Sequence, residues 1–310
     1  MFNKHTESNS TTYLAQTSST LKHFDLSNAY EYESWHKAKL APYPLNLNNL
    51  MVNINNNQAI SNSELRNIRR NCQAFNFALY DIGLRNDDNR IPLQIATQLG
   101  LTISDQHLCG DKVGLSAIKV SNKRAPGEYI PYTNKPINWH TDGYYNQSHQ
   151  KILSMLLHCA QDAMSGGENA FFDHEILYIL LRNENPEYIN VLMQDDVMTI
   201  PENVQDGHVI REAQTGPVFS VFPWGLHMRY TARTKSIVWK DDPIVKQAVE
   251  KIREILNSDS IYKVTYQFLP GQGVISNNVL HMRTAFEDSR TLEQQRLIYR
   301  MRFYERMNDT

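Results

Sequence analysis

The sequence predicts a mainly β fold with a few flanking helices, arranged as a sandwich or a distorted barrel. Short apolar runs separated by turn residues recur along the chain and dominate its C-terminal part. Helical patterns are few and do not alternate regularly with the strands, which argues against βαβ units. A chain of 310 residues, 41% of them hydrophobic, can bury a sizeable core.

In the first half of the chain, the elements follow from apolar spacing and turn residues. Apolar residues recur at three- and four-residue steps from Ser61 to Phe75, which predicts a helix that Ser63 caps. Pro126-Gly127 marks a turn between two strands. The predicted elements are the helix Ser61–Phe75, the extended segment Phe77–Ile82, the helix Ile91–Leu99 ended by Gly100, and the strands Ala117–Val120 and Tyr129–Tyr132.

The second half is predicted to contain two capped helices between strands. The segment Ile152–Leu157 is apolar at every position but Ser154, as expected for a strand covered on both faces. Asp173 and Asp242 each precede a helical pattern and are expected to cap it. The last predicted strands are Ile261–Phe268, Gly273–Met282 and Arg296–Tyr304.

No internal repeat and no Pro/Gly/Ser-rich linker divides the interior of the chain. We therefore expect one domain over residues 21–310, preceded by a flexible N-terminal tail, 1–20, that is rich in Ser, Thr and Asn. The tail lacks the basic-then-apolar pattern of a secretory signal, and no apolar run approaches the roughly 20 residues of a membrane helix.

Charge and cysteine usage narrow the class of partner. The 31 Lys+Arg and 33 Asp+Glu give a net charge of −2, so no overall field draws the chain to nucleic acid or to an anionic membrane. Three widely spaced cysteines without a Cys-x-x-Cys pair indicate free thiols in a reducing compartment. We expect a cytoplasmic protein that acts on a small molecule, with neither a nucleic-acid nor a membrane partner, and a homo-oligomer is left open.

One group of residues has the side chains and the spacing of a metal-binding site. In Trp139-His140-Thr141-Asp142-Gly143, an imidazole and a carboxylate lie two residues apart in an extended segment, so both are expected on one face. Such a pair alone is a weak signal, but His281 follows far downstream in a strand-like run. Two imidazoles and one carboxylate make the facial triad of non-haem Fe(II) oxygenases. The predicted metal ligands are His140, Asp142 and His281.

The last predicted strand carries three arginines. Arg296, Arg300 and Arg302 share one face because alternate positions of a strand point the same way. A solvated edge strand is the plain alternative. Recognition of an anion explains three guanidinium groups beside a metal site better, since a guanidinium grips a carboxylate with two parallel hydrogen bonds.

With these motifs the sequence resembles the Fe(II)/2-oxoglutarate-dependent dioxygenases of the taurine dioxygenase, TfdA and clavaminate synthase-like group. The resemblance covers roughly residues 117–304. It rests on Asn138-Trp139-His140-Thr141-Asp142-Gly143, on Ser165-Gly166-Gly167-Glu168-Asn169-Ala170-Phe171, and on Asn277-Asn278-Val279-Leu280-His281-Met282-Arg283-Thr284-Ala285-Phe286 with Arg296. One motif differs: in the turn before the last iron histidine the family commonly has Gly-Asp or Gly-Glu, whereas this sequence has Gly271-Gln272-Gly273.

The resemblance implies a fold and a set of cofactors. The fold would be a double-stranded β-helix, a jelly roll with a cupin-like core, with an insertion within 173–240 that covers the active site. The cofactors would be Fe(II), bound by the three predicted metal ligands, 2-oxoglutarate as co-substrate, and O2. By the same resemblance Arg296 would hold the distal carboxylate of 2-oxoglutarate, and Asn169 falls where many relatives have a threonine that hydrogen-bonds the co-substrate.

It also implies a reaction. An unactivated carbon of a small molecule that bears a carboxylate or is otherwise anionic would be hydroxylated, with release of succinate and CO2. The carboxylate of Asp142 argues for oxygenation, since halogenating relatives lack it. Arg300, Tyr144 and Arg283 are the candidate substrate-binding residues. Oxidative desaturation or cyclisation on the same scaffold stays open.

Two functions from other classes are alternatives to a dioxygenase. A zinc hydrolase could use the same three ligands with an open fourth position, but it gives no role to Arg296. A non-catalytic metal-binding sensor could keep the fold and the metal. Oxygen uptake coupled to succinate formation separates both from a dioxygenase.

Overall fold

A computed structural model describes residues 21–84, 87–106, 110–121, 129–233, 237–289, 295–308 and 310. The predicted tail 1–20 and the turn at Pro126-Gly127 lie outside the described residues. The α-helices are α1 (Ala29–Leu40), α2 (Leu47–Leu50), α3 (Asn62–Phe75), α4 (Ile91–Gln98), α5 (His174–Glu184), α6 (Pro186–Leu192) and α7 (Pro243–Asn257).

The helix termini follow the local sequence. As predicted, the carboxylates of Asp173 and Asp242 accept backbone hydrogen bonds in the first turns of α5 and α7. The cap predicted for α3 is wrong, because Ser61 and not Ser63 occupies it. The Ser61 hydroxyl accepts from the Glu64 amide while the Glu64 carboxylate accepts from the Ser61 amide, a reciprocal pair that only a residue three positions before a glutamate can form.

Short strands make up most of the remaining regular structure. In chain order they are β1 (Met51–Asn53), β2 (Phe77–Asp81), β3 (Ser116–Ile118), β4 (Ile137–His140), β5 (Ser154–Gln161), β6 (Ser165–Gly166), β7 (Asn169–Phe172), β8 (Met198–Ile200), β9 (Asn203–Gln205), β10 (His208–Arg211), β11 (Gln214–Gly216), β12 (Phe219–Phe222), β13 (Gly225–Met228), β14 (Val238–Trp239), β15 (Lys263–Tyr266), β16 (Gln272–Ser276), β17 (Leu280–Arg283), β18 (Phe286–Glu287) and β19 (Leu297–Phe303). The mainly β class with flanking helices is therefore confirmed.

Two sheets form the centre of the molecule. The larger has the order β1-β2-β16-β5-β19-β3 and the smaller the order β15-β7-β17-β4. Apolar side chains of both sheets share one buried cluster, in which the rings of Phe77 and Phe171 stack at 5.6 Å. Strand β5 is buried at seven of its eight positions, as the apolar run predicted. In the smaller sheet, β17 pairs antiparallel with β4 and places His281 opposite His140.

The single strand predicted from Gly273 to Met282 is wrong. It is two strands, with β16 in the larger sheet and β17 in the smaller. Between them Asn278 has a φ of 52°, a left-handed conformation that redirects the chain and that asparagine tolerates better than most residues. This break carries His281 across to the sheet that contains His140.

A second predicted strand, Tyr129–Tyr132, is instead a turn of 3-10 helix, Ile130–Tyr132. Pro131 has no amide proton to give to a sheet and its ring fixes a φ that suits a helical turn. The turn closes with a hydrogen bond of 3.0 Å from the Thr133 amide to the Ile130 carbonyl. Strands β3 and β15 are present but shorter than predicted.

The segment between α5 and α7 builds a separate layer beside the sheets. Strands β11, β8 and β14 form a three-stranded sheet, and β9–β10 and β12–β13 form hairpins. Helices α5, α6 and α7 pack with this layer over a large apolar cluster that includes Leu177, Leu192 and Ile252. None of the helices in the described part of the chain has the length and hydropathy that a membrane-spanning helix requires.

Candidate metal centre and neighbouring pockets

His140 closes strand β4, and Asp142 lies in the turn that follows it. The predicted extended segment is therefore shorter than expected, since the strand stops before Asp142. Thr141 fixes the turn: its amide donates to the Tyr230 carbonyl at 3.0 Å, and its hydroxyl accepts from the Tyr230 amide at 3.1 Å. The side chains of His140 and Asp142 converge despite the lost strand geometry.

Asn278 clamps the same turn and was missed by the sequence reasoning. Its side-chain oxygen accepts from the Asp142 amide at 2.8 Å. Its side-chain nitrogen donates to the carbonyls of Asp142 at 2.9 Å and Ile152 at 2.8 Å. One amide thus ties the chain just before His281 to the turn that carries Asp142. Asparagine tolerates a left-handed conformation better than most residues, but Asn277-Asn278 alone does not predict a break between two strands.

The two imidazoles face each other with ring centroids 4.2 Å apart. Nδ1 of His140 lies 2.9 Å from the Asn138 carbonyl, and Nδ1 of His281 lies 3.0 Å from the Val279 carbonyl. A carbonyl only accepts, so each Nδ1 carries the proton and each Nε2 keeps a free lone pair. Such backbone contacts fix the tautomer that a metal-binding histidine needs.

The donor atoms of His140, Asp142 and His281 all lie within 4.8 Å of one another. Loss of solvent around the ring and the neighbouring His281 lower the pKa of His140 to about 3, and burial lowers the pKa of His281, so both rings are neutral near neutral pH. Burial opposes ionisation of Asp142, but Arg300 and Arg302 hold its pKa below the usual range. Two neutral imidazoles and an anionic carboxylate are the protonation states that bind a divalent cation.

One buried oxygen lacks a partner. Asp142 Oδ2 is inaccessible to solvent and accepts no hydrogen bond. A buried carboxylate oxygen without a partner is costly, and a divalent ion held with the two Nε2 atoms would satisfy it. The residues present therefore fit a metal ion in chemistry and charge, and their N,N,O set suits Fe(II).

Strand β19 brings two arginines to this cluster. It lies between β5 and β3, so the solvated edge strand is wrong, and Arg300 and Arg302 are 9% and 2% exposed. Nη1 of Arg300 lies 3.2 Å from Asp142 Oδ1. Arg302 is instead held by the carboxylate of Asp105 and by the Tyr145 hydroxyl at 2.8 Å. Arg300 is therefore the arginine of the pair that lies closer to the Asp142 carboxylate.

Arg296 and Asn169 line a second, separate small cavity, together with Gly167 and Cys159. Arg296 is 5% exposed, and its guanidinium lies 5.1 Å from the centre of the Phe286 ring. A Cβ on Gly167 would come within 3.3 Å of Arg296 Nε, so the glycine at φ +77° gives the guanidinium its space. The structure brings the two predicted co-substrate residues to one cavity.

Arg283 is a correction to the predicted substrate-binding set. Its Nη2 donates to the carbonyls of Thr133 at 2.9 Å and Lys135 at 2.5 Å, and its Nη1 to the Pro131 carbonyl at 3.4 Å. Arg283 continues the regular pairing of β17 with β7, opposite Asn169. We assign Arg283 to the packing of this loop because both terminal nitrogens are used there.

Tyr144 lies next to the metal ligands, as predicted, with its ring 6.5 Å from that of His140. Tyr144 and Asp142 also line a cavity of about 50 Å³, room for a few water-sized groups. Residues 214–229, within the predicted insertion, supply its opposite lining, including His227 and Arg229. Neither metal-cluster histidine lines this cavity. Its cationic residues escaped the sequence reasoning, since they come from distant segments with no shared motif.

Comparison with known proteins identifies the class. Residues 88–301 match the family described as taurine catabolism dioxygenase TauD, TfdA family. The chain belongs to this family. It is an iron(II)- and 2-oxoglutarate-dependent dioxygenase that uses O2 as its second co-substrate. No curated protein matches the chain by sequence.

Solved structures share the fold at low sequence identity. An asparagine oxygenase in complex with Fe(II), hydroxyasparagine and succinate is 14% identical, with a TM-score of 0.57 and 78% of each chain covered. The non-haem iron oxygenase OrfP with iron, succinate and (3S)-hydroxy-L-Arg is 12% identical, with a TM-score of 0.60 and coverage of 79% of this chain and 81% of that one. At this identity the likeness concerns the fold.

Proposed function

We propose that His140, Asp142 and His281 bind one Fe(II) ion, and that the enzyme hydroxylates a small molecule that carries a carboxylate. The observation that carries this proposal is the convergence of three donor atoms within 4.8 Å around an unpartnered carboxylate oxygen. Iron and 2-oxoglutarate, when bound, supply the oxidation, in which O2 is consumed, 2-oxoglutarate yields succinate and CO2, and one oxygen atom enters a C–H bond of the substrate.

The protein's own contribution is binding and orientation. Asn278 and Thr141 hold the turn of Asp142 through backbone hydrogen bonds, and the carbonyls of Asn138 and Val279 aim the two imidazoles. Such preorganisation spares the site from reordering as ligands bind.

Arg296 and Asn169 would bind the co-substrate. The Arg296 guanidinium is buried, forms no ion pair with a carboxylate in the described part of the chain, and lines a cavity. A dicarboxylate such as 2-oxoglutarate would supply the missing anion through two parallel hydrogen bonds. The Asn169 amide lies in the same cavity and can donate to that carboxylate.

Arg300 and Tyr144 would bind the substrate. Arg300 borders the metal cluster through Asp142, and Tyr144 packs beside His140. The asparagine oxygenase and OrfP structures contain hydroxylated amino acids. We extend that chemistry to this chain as a proposal: the substrate is an amino acid or a related small carboxylate, whose acid group meets Arg300.

The proposal includes the finer description of the fold. We propose that the two packed sheets form a double-stranded β-helix, a jelly roll with a cupin-like core. Residues 173–240 would be the insertion that covers the site, which the position of residues 214–229 beside Asp142 supports.

Substrate-dependent succinate formation, measured after anaerobic Fe(II) loading, tests the function. The compounds would be small amino acids, sulfonates, betaines and carboxylic acids, with oxygen uptake followed in parallel. Equal amounts of succinate, hydroxylated product and O2 consumed are expected. Hydrolysis without oxygen uptake would replace the proposal by the zinc hydrolase, and a desaturated or cyclised product would correct the reaction type.

A further inference from the structure

The cavity beside Asp142 holds more cationic than anionic groups. Lys151, His227 and Arg229 line it, and Asp142 is the single carboxylate among its described lining residues. That carboxylate already faces Arg300 at 3.2 Å. The cavity is therefore left with an excess of positive charge.

The two permanent cations have neutral partners. Lys151 Nζ donates to the Ser148 carbonyl at 2.5 Å and lies 5.6 Å above the centre of the Phe222 ring. Arg229 donates to three backbone carbonyls, and its Nε is buried without a partner. Neither residue forms an ion pair with a carboxylate in the described part of the chain.

The surroundings of Lys151 and Arg229 disfavour their charged forms. Burial lowers the pKa of Lys151, and the nearby Arg229 lowers it further. Burial lowers the pKa of Arg229 to about 10. Both cations are partly buried without a counter-ion, which costs free energy that a bound anion would recover. Burial lowers the pKa of His227 to about 3, so its ring is neutral, and the ring is already hydrogen-bonded to the backbone of Ile152.

We propose that Lys151 and Arg229, which line this cavity together with His227, bind a second acidic group of the substrate. The proposal rests on the proposed function, in which Arg300 meets the first carboxylate, and it narrows the substrate to a small molecule with two acidic ends. An amino acid with an acidic side chain, or its sulfonate counterpart, has this chemistry. The ammonium group of Lys151 is the freer of the two cations, since backbone carbonyls hold Arg229 in place.

Direct anion binding is the first test. Sulfate is titrated calorimetrically, at constant ionic strength, into iron-free protein in the presence of excess 2-oxoglutarate, and the titration is repeated without it. Lys151→Met is compared with wild type and with Lys119→Met, whose side chain is exposed. We expect about tenfold weaker sulfate binding in Lys151→Met alone, which corresponds to about 1.4 kcal/mol, because the variant removes one charge-assisted hydrogen bond to the anion. Equal affinity in all three proteins, or no binding by wild type, would overturn the proposal.

The second test distinguishes a substrate group from a free anion. Turnover of glutamate is compared with that of glutamine, and aspartate with asparagine. We expect the acids to be preferred by about tenfold, sulfate to compete with them, and Lys151→Met to abolish most of the preference. If the amides serve equally well, or sulfate leaves the KM of the acids unchanged, the cavity binds a free anion and the assignment to the substrate is wrong.

The same pairs can be compared by calorimetric binding to the iron-free protein if none is turned over, so the comparison does not depend on catalysis. Failure of the proposed function has a different signature. In that case iron-loaded protein would not bind 2-oxoglutarate, whereas the sulfate titration would still show whether Lys151 binds an anion.

Discussion

Two buried arginines lie at opposite ends of strand β19, Arg302 within the strand and Arg296 directly before it, and their electrostatic settings are opposite. At the C-terminal end, Arg302 contacts the carboxylate of Asp105 and lies 4.0 Å from that of Asp142. Burial works against the charge, but Tyr145 and these two carboxylates raise the pKa of Arg302 above its usual value. This guanidinium is fully compensated inside the protein.

At the N-terminal end, Arg296 is also buried, and the nearby Asp288 carboxylate accepts from its backbone amide at 2.8 Å rather than pairing with its guanidinium. Its guanidinium packs on the ring of Phe286, and burial lowers its pKa to about 10. Within the described residues no carboxylate forms an ion pair with it. A buried charge that is paired inside the protein stabilises the fold, whereas an unpaired buried charge that lines a cavity indicates a binding site for an anionic ligand.

The largest effect is expected at Asp142, the carboxylate that Arg300 and Arg302 face. Asp142→Ala removes the carboxylate ligand and leaves Arg300 without its acid. Metal affinity should fall by more than about 100-fold, because the loss of an outer partner of a metal ligand alone costs about 10- to 100-fold. Anaerobic calorimetry with Fe(II) measures this, with exposed Asp241→Ala as the control. Undiminished iron binding in Asp142→Ala would remove Asp142 from the metal site.

The next largest effect is expected on the free energy of unfolding when Arg302, at the C-terminal end of β19, is replaced. Arg302→Met leaves Asp105 buried without its cation, and removal of one partner of a buried pair costs about 3 to 5 kcal/mol of unfolding free energy. Urea unfolding of the metal-free protein measures it. The matched variant Arg296→Met should lose clearly less stability, since no acid is left unpaired. Equal losses in the two variants would contradict the distinction between the two ends.

The candidate metal cluster and two of the helix caps could be predicted from the sequence, but the path of the chain between the two sheets could not. The cluster of His140, Asp142 and His281 was predictable, because His140 and Asp142 share a short motif and His281 lies in a strand-like run. The helix caps at Asp173 and Asp242 depend on neighbours within one turn, so they too were predictable. The break at Asn278 was not, because only packing decides that β16 and β17 join different sheets.

Long-range partners explain the other misses. Arg283 was assigned to the substrate, but its partners are backbone carbonyls near Thr133, far away in sequence. The cavity of Lys151 and Arg229 combines segments from two layers of the fold. Neither arrangement leaves a local pattern, because a guanidinium or ammonium group can be satisfied by any carbonyl within reach.

A third prediction tests the uncompensated end through its proposed ligand. Arg296→Gln should raise the KM for 2-oxoglutarate by roughly 100-fold, since truncation of one partner of a buried charge pair costs about 2 to 5 kcal/mol. Unfolding free energy of the ligand-free protein should change little. Initial rates of succinate formation at varied 2-oxoglutarate measure the KM. An unchanged KM would show that Arg296 binds no part of the co-substrate.

The smallest effect is expected at Phe286, whose ring packs against Arg296 where Arg302 has a carboxylate. Phe286 contacts two guanidiniums, with Arg283 at 4.7 Å and Arg296 at 5.1 Å from its ring centre, so the ring orients Arg296 in place of a carboxylate. Phe286→Leu should raise the KM for 2-oxoglutarate about fivefold with kcat nearly unchanged, because a partly desolvated cation–π contact contributes about 1 kcal/mol. Phe286→Tyr should retain the wild-type KM, and Tyr30→Leu, at an exposed aromatic residue, serves as the control. A fall in kcat without a change in KM would mean that Phe286 acts through general packing, because orientation of Arg296 alters co-substrate binding and leaves the saturated rate intact.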